Sequence, residues 1–207
     1  MATLAELLAS SLAALKQVQQ SGDFTIVKSG ELSPTHLKRL LANHFLMPVI
    51  KGWYIVTDPR AVPGDSTAWY ASFWNFILRY ATERYGKEWC LSAEQSLAIY
   101  SGSTTVPKQV LIRSPKGNNN SLELLPPTSL FNLEAALPSR IDTDNPYRLN
   151  LYPLAEAIIA ATPAIYKSDA TTMRTALALV RDSSEILKIL VDTGQTVRAG
   201  RVIGAFR

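Results

Sequence analysis

Hydrophobic residues recur at helical spacing along the first twenty residues of the chain. Leucine or valine occupies positions 4, 7, 8, 12, 15 and 18, and these side chains fall within an arc of about 140° at 100° per residue. This pattern predicts an amphipathic helix over residues 3–20, which Ser21-Gly22-Asp23 ends. The β-prone residues 24–27 then predict a short strand or a tightly packed segment.

A second amphipathic helix is predicted to begin at Ser33, which suits the N-cap position, with Pro34 at the first helical position. Its buried face is formed by four hydrophobic side chains: Leu37, Leu40, Leu41 and Phe45. Three polar side chains lie on the other side, within about 60° of one another, with Thr35 beside them: His36, Arg39 and Asn43. His44 projects within the hydrophobic arc, so we expect it to be packed.

Two β-rich runs follow this helix, over residues 47–50 and 53–57, and Lys51-Gly52 separates them. Such a pair of runs around a lysine-glycine turn predicts a β-hairpin. Helix, short segment, helix and hairpin is the order expected of a small winged-helix unit. We therefore predict a winged helix-turn-helix domain over residues 1–60.

The remainder of the chain mixes helical and strand-like patterns. Residues 58–65 are rich in turn formers and predict a linker. The following helix, at about 67–84, is dense in aromatic residues that we expect to form a core rather than a base-stacking surface. The other predicted elements are a strand at 88–91, a helix capped by Ser92, strands at 110–113 and 121–124 joined as a hairpin, and helices at 153–161, 169–181 and 183–192. The predicted fold class is α+β, with a small α+β domain over residues 66–207 that ends in a helical tail.

The polar side of the second helix is the best candidate for a functional surface. Arginine and asparagine pair bidentately with guanine and adenine edges, and His36 can reach a base or a phosphate. Lys51 at the hairpin turn is expected to contact backbone phosphate. A solvated helix face carrying the same residue types is the alternative. The full predicted DNA-binding set is Lys28, Ser33, Thr35, His36, Arg39, Asn43 and Lys51.

Charge and composition permit this hypothesis without demanding it. The net charge is +4, but residues 1–60 hold six Lys and Arg against four Asp and Glu, so there is no single basic block. The single cysteine, Cys90, excludes an internal disulfide framework and suits a reducing compartment. The chain lacks the pattern of a signal peptide and any run of about 20 apolar residues. We therefore expect a cytoplasmic protein without a membrane partner.

The sequence lacks the usual signs of catalysis. Its two histidines, His36 and His44, lie eight residues apart, and Cys90 has no nearby partner for zinc or for Cys-His chemistry. There is no glycine-rich phosphate loop of either common spacing. Asp142 and Asp144 lie in a polar loop, which is typical of solvated carboxylates. We expect no enzymatic activity, no metal site and no cofactor.

Several short stretches resemble known regulators. Gly52–Tyr54, Leu91–Leu97 and Thr105–Gln109 are similar to segments of AbiEi-type antitoxin regulators. A closer resemblance is to the N-terminal regulatory region of some Fic-domain proteins. It extends along most of the chain, through Lys51–Tyr54, Ser66–Phe76, Trp89–Leu97, Val106–Lys116 and Ala199–Arg207.

This resemblance implies a winged helix that binds operator DNA and regulates its own transcription, within a toxin–antitoxin system. It also implies a second domain that contacts a cognate toxin or a Fic-type protein. The histidine-proline-phenylalanine and glycine-rich loop that transfers AMP in Fic domains is absent. The chain is therefore expected to be a fragment of a longer Fic-containing protein or a stand-alone antitoxin-like relative, and not to transfer AMP by itself.

Two functions remain open on the sequence alone. The first is a DNA-binding regulator of antitoxin type, with a dimer on DNA as one open oligomeric state. The second is a protein-interaction module that restrains a toxin or Fic domain without binding DNA, because a winged-helix fold alone does not determine function. DNA binding would require phosphate neutralisation and a steep salt dependence, which separates the two hypotheses.

Overall fold

The chain folds into helices and two small β-sheets, an α+β arrangement as the sequence predicts. The computed structural model describes residues 3–21, 25–62, 64–194, 202 and 204. It divides into two units, the first comprising Met1–Tyr80 with Glu123–Thr128 and the second comprising Ala81–Leu122 with Ser129–Arg207. Each unit has its own hydrophobic core.

The first unit contains a three-stranded antiparallel sheet with the strand order β1-β3-β2. Its elements in chain order are α1 (Leu4–Ser21), β1 (Ile26–Lys28), a 3-10 turn (Ser29–Glu31), α2 (Pro34–Ala42), β2 (Leu46–Ile50), β3 (Trp53–Val56) and the greater part of α3 (Thr67–Tyr85). The two predicted helices and the hairpin are therefore confirmed. The predicted helix end at Gly22-Asp23 lies outside the described residues.

Local sequence signals explain where these elements begin and end. The Ser33 side chain accepts a hydrogen bond from the backbone N–H of His36, and Pro34 occupies the first helical turn. At the hairpin turn Gly52 adopts φ +82°, a conformation that costs little without a Cβ atom. The core between α1, α2 and the sheet consists of Leu15, Val27, Leu32, Leu40 and Leu46.

Aromatic residues of α3 complete the first unit. Trp53 of β3 meets Phe76 edge to face at 5.7 Å between ring centroids and Tyr80 at 6.1 Å. The aromatic helix is thus a core helix, as predicted, but most of it belongs with the first unit. The division between the units falls within α3 and not in the stretch 58–65 where the sequence suggested a boundary, because β3 packs its indole on this helix.

The second unit is built around a four-stranded sheet with the strand order β4-β5-β7-β6. Its strands are β4 (Cys90–Leu91), β5 (Gln109–Ser114), β6 (Asn120–Glu123) and β7 (Ser129–Glu134). Its helices are α4 (Ala93–Tyr100), α5 (Leu154–Ala160), α6 (Ile165–Ser168), α7 (Ala170–Ala178) and α8 (Ser183–Thr193). The predicted helices after Ser92, after Pro153 and near 169 and 183 are confirmed, and the helical tail with them.

One predicted pairing in this unit is wrong. The strands at 110–113 and 121–124 do not form a hairpin with each other, because β7 lies between them in the sheet. β5 pairs in parallel with β7, from Gln109 opposite Ser129 to Ser114 opposite Glu134. β7 is not among the strands that the sequence predicts, and without it the prediction pairs β5 with β6, its neighbour along the chain.

Within the described ranges, no helix is both long and apolar enough to cross a membrane.

Candidate nucleic-acid interface

Arg39, the central residue of the predicted DNA-binding set, is held against the first helix of its own unit. Its guanidinium Nη1 donates to the backbone carbonyl of Leu7 at 2.9 Å and to Ser11 Oγ at 2.8 Å. Ser11 is fully buried and Arg39 is half-buried. The expectation of an entirely free guanidinium is therefore wrong, because Nη1 is engaged within the unit, whereas contact of Arg39 with DNA stays a prediction.

His36 meets the same serine. Its Nδ1 lies 3.0 Å from Ser11 Oγ, and the ring is half-buried. Ser11 Oγ also lies 3.0 Å from the Leu7 carbonyl oxygen, to which it donates within α1. His36 and Arg39 of α2 therefore both contact α1 through the buried hydroxyl of Ser11. Because both contacts lie within the chain, and those of Arg39 are charge-assisted, this side of α2 helps to hold the unit together.

The exposed face of α2 consequently lies elsewhere. The exposed residues of the helix are Pro34, Thr35, Lys38 and Ala42, whereas His36, Leu37, Arg39 and Leu41 are half-buried and Leu40 is fully buried. A shallow depression runs along this face, lined by Pro34, Thr35, Lys38, Arg39 and Ala42. Compared with the predicted polar face, the exposed face is rotated toward Lys38, because α1 covers the side that carries His36.

Lys38 was not among the predicted site residues. The prediction followed the polar arc of His36, Arg39 and Asn43, and at 100° per residue Lys38 lies outside that arc. The sequence does contain a pattern that indicates this exposed face. Lys38 lies at helical spacing from Thr35 and Ala42, and none of these three is a large hydrophobic residue. A stripe of small and cationic residues is compatible with a surface that approaches another molecule closely.

The end of α2 explains two further predicted residues. Asn43 is the exposed C-cap residue, and its side-chain amide donates to the backbone carbonyl of Arg39 at 2.8 Å. His44 follows with φ +58° and is exposed, so the expectation of a packed histidine is wrong. The helix ends at Ala42, two positions before His44, which removes that residue from the hydrophobic arc on which the expectation relied.

Lys28 lies at the edge strand β1 and is half-buried. Its ammonium nitrogen stands 5.2 Å from the centre of the Trp53 ring, and the Arg79 guanidinium stands 5.8 Å from the same ring. Arg79 also donates to the Ile26 carbonyl at 2.7 Å and forms an ion pair with Glu31. This cluster explains Lys28 as part of the packing around an aromatic ring.

The remaining predicted residues are accessible. Lys51 is exposed at the turn between β2 and β3, as predicted from the hairpin pattern. Thr35 is exposed in the first turn of α2, and the exposed Ser33 has its hydroxyl engaged in the cap. The structure therefore leaves three exposed side chains on α2 and the hairpin turn with the chemistry to contact a nucleic acid, Thr35, Lys38 and Lys51, together with Asn43 at the C-cap.

A second surface feature of the first unit is an open cleft of about 790 Å³ beside the end of α2. Its wall is largely apolar and includes Leu41, Leu46, Met47, Pro48 and Val62, with the carboxylates of Asp58 and Asp65 also in the lining. Hydrogen bonds from Arg60 lower the pKa of Asp58, and those from Thr67 lower the pKa of Asp65. Both carboxylates are therefore negatively charged at neutral pH.

Among the described residues, no group of three or more histidine, cysteine, aspartate or glutamate side chains is arranged to hold a metal ion. Comparison with models of known protein families finds none that matches this chain. Comparison with curated proteins likewise finds no match.

Proposed function

We propose that the first unit is a winged-helix module that binds double-stranded DNA, in a cytoplasmic transcriptional autoregulator of antitoxin type. The observation that carries the proposal is the exposed face of α2 with Lys38 at its centre, followed directly by a hairpin with exposed Lys51 at its turn. The order helix, strand, helix, hairpin supports the winged-helix assignment, as does the sheet order β1-β3-β2.

In this proposal α2 enters the major groove and the Lys51 turn contacts the phosphate backbone. The second unit would hold a cognate toxin or a Fic-type protein, a role that rests on the resemblance to AbiEi-type and Fic-associated regulators. The module acts by binding alone, without catalysis, metal or cofactor. Its modest net charge of +4 implies that few phosphates are neutralised, so binding should weaken as salt rises with a slope set by that small number.

The experiment is a mobility-shift titration of the full chain with duplex DNA from its own promoter and with a scrambled duplex. Both are measured at about 50 and about 200 mM salt, where each phosphate contact contributes a slope of about −0.9 to log affinity against log salt. We expect tighter binding to the promoter duplex and a clear fall with salt. Absence of salt-dependent binding to either duplex would refute the proposal.

A second candidate function is a protein-interaction module of a Fic-type protein that does not bind DNA. The apolar cleft beside the end of α2 favours it, because Val62 in its wall is 72% exposed. With Asp58 and Asp65 in the lining, the cleft suits a partner segment that places an apolar side chain next to lysine or arginine.

Labelled peptides with a leucine flanked by lysines, or by glutamates in the control, would test this second candidate. The lysine peptides should bind the full chain more tightly. Val62→Arg should abolish the difference, because it adds positive charge to the cleft. Val191→Arg is the matched control, since Val191 is 77% exposed on α8 of the second unit. Equal binding of both peptides would exclude the cleft as a site for basic segments.

A further inference from the structure

The exposed face of α2 carries two methyl groups on either side of one cation. Thr35, Lys38 and Ala42 are all exposed and lie within an arc of about 60° at 100° per residue. The other polar side chains each make a contact within the chain, since Arg39 Nη1 and His36 Nδ1 meet Ser11 and the Asn43 amide meets the Arg39 carbonyl. The stripe is therefore the most exposed part of the helix after Pro34.

The chemistry of the stripe is selective in the major groove. The methyl groups of threonine and alanine make apolar contact with the C5-methyl of thymine, and the lysine ammonium donates to O6 and N7 of guanine. The lysine ammonium has three donors and no acceptor, so it does not match the exocyclic amines of adenine or cytosine. No acidic or amide side chain lies on the stripe to read those amines.

The spacing of the stripe sets the spacing of the bases. Seven residues separate Thr35 from Ala42, which corresponds to about 10.5 Å along the axis of an α-helix. Base pairs stack at about 3.4 Å, so this length spans about three base steps. Lys38 lies between the two methyl groups and reaches a base between theirs.

We propose that α2 recognises duplex DNA in which a guanine lies between two thymines about three steps apart, with the methyl groups of Thr35 and Ala42 on the thymines. This inference rests on the proposed function and adds the class of sequence that the module reads. Arg39 contributes less to base recognition than Lys38, because its Nη1 is engaged by the carbonyl of Leu7 and the hydroxyl of Ser11.

The test begins with selection of bound duplexes from a pool of random 20-mers by the full chain. We expect enrichment of guanine flanked by thymines at this spacing. In the selected duplex each thymine is then replaced by uracil, which lacks only the methyl group. Loss of one buried methyl contact should weaken binding about fourfold.

Thr35→Ser decides whether the contact is the one proposed, because it keeps the hydroxyl and removes the methyl. With this variant, replacing one of the two thymines by uracil should no longer weaken binding. Thr105→Ser, an exposed threonine of the second unit, is the matched control and should retain the fourfold difference. Lys38→Gln should lose the preference for guanine, whereas Lys188→Gln on α8 should keep it.

The outcomes separate this inference from the function on which it rests. Salt-dependent binding without base enrichment, or a uracil penalty that persists in Thr35→Ser, would overturn the recognition stripe while leaving DNA binding intact. Absence of any salt-dependent binding by the parent chain would overturn both. If Arg39→Ala loses the base preference while its melting temperature is unchanged, Arg39 and not the stripe recognises the bases.

Discussion

Helices α2 and α4 begin with the same kind of cap but differ in how far their side chains are buried. Each is capped by a serine, Ser33 or Ser92, whose hydroxyl accepts a hydrogen bond from the backbone N–H three residues later at 3.3 Å. Every residue of α4 is buried or half-buried, whereas α2 has four exposed residues. Cap and length therefore do not reveal whether a helix is enclosed by its own unit or faces outward.

The difference lies in where polar side chains find partners. In α4 the Gln95 side chain donates to the Gln109 carbonyl and accepts from the Leu111 N–H, and Glu94 accepts from the Thr162 N–H. In α2 only Arg39 and His36 are used in this manner. The comparison teaches that a polar residue on a helix is a candidate for binding only after its intramolecular partners are known.

The largest expected effect comes from the enclosed helix. Leu97 of α4 is fully buried, and Leu97→Ala should lower the free energy of unfolding by about 2–5 kcal/mol through lost burial and a residual cavity. Leu187→Ala on α8 is the matched control, because Leu187 is 52% exposed and its loss should cost little. Urea unfolding of both variants measures the difference, and equal midpoints would contradict the assignment of α4 to the core.

Cys90, adjacent to α4, provides an independent readout of the same change. The thiol is fully buried, and this burial raises its pKa to about 12. At pH 8 it is protonated and inaccessible, so it should react with a thiol reagent only when the second unit opens. Leu97→Ala should accelerate labelling and Leu187→Ala should not. Rapid labelling of the parent chain would mean that Cys90 is not enclosed.

The next effect distinguishes the two sides of α2. Arg39→Ala removes a charge-assisted hydrogen-bond donor from Ser11 and the Leu7 carbonyl, which should cost about 1.5–3 kcal/mol of stability. Lys38→Ala, one residue away and exposed, should change stability by no more than about 0.5 kcal/mol. A double-mutant cycle of Arg39 with Ser11 should show coupling. If both alanine variants melt like the parent, the contact with α1 does not stabilise the unit.

The two caps should differ by a smaller amount. Removing an N-cap serine typically costs about 1 kcal/mol. Ser92 is 5% exposed whereas Ser33 is exposed, so water can replace the lost acceptor only in α2. Ser92→Ala should therefore be more destabilising than Ser33→Ala in thermal melts. Ser33→Asp should restore the cap, and a cost that is equal at both positions would contradict the role of burial.

The smallest expected effect on stability belongs to the hairpin turn. Lys51→Ala should leave the melting curve unchanged within about 0.5 kcal/mol, because Lys51 is exposed. It should weaken binding to the promoter duplex and to the scrambled duplex equally. The slope of log affinity against log salt should fall in magnitude by about one, as expected for a phosphate contact. Lys188→Ala removes the same charge from α8 and should change neither quantity. A sequence-dependent loss in Lys51→Ala would make the turn a base contact instead.

The sequence by itself determined the elements that depend on near neighbours. The helices after Ser33 and Ser92 and the turn at Gly52 follow from caps, hydrophobic spacing and a residue that tolerates positive φ. The pairing of strands could not be predicted in the same way, because β5 pairs in parallel with β7 and β6 lies between them in the chain. Hydrophobic alternation identifies a strand but carries no information about which strand lies beside it.

Only the tertiary structure decided which side of α2 faces outward. Arg39 meets Ser11, which lies 28 positions earlier in the chain, and no periodicity within α2 could reveal that partner. A helical wheel shows which residues avoid the hydrophobic core, but a second helix can cover part of the polar side as well. Arginine fits there because its guanidinium donates to a carbonyl and a hydroxyl of α1. Lys38 remains exposed because α1 does not extend over its side of the helix.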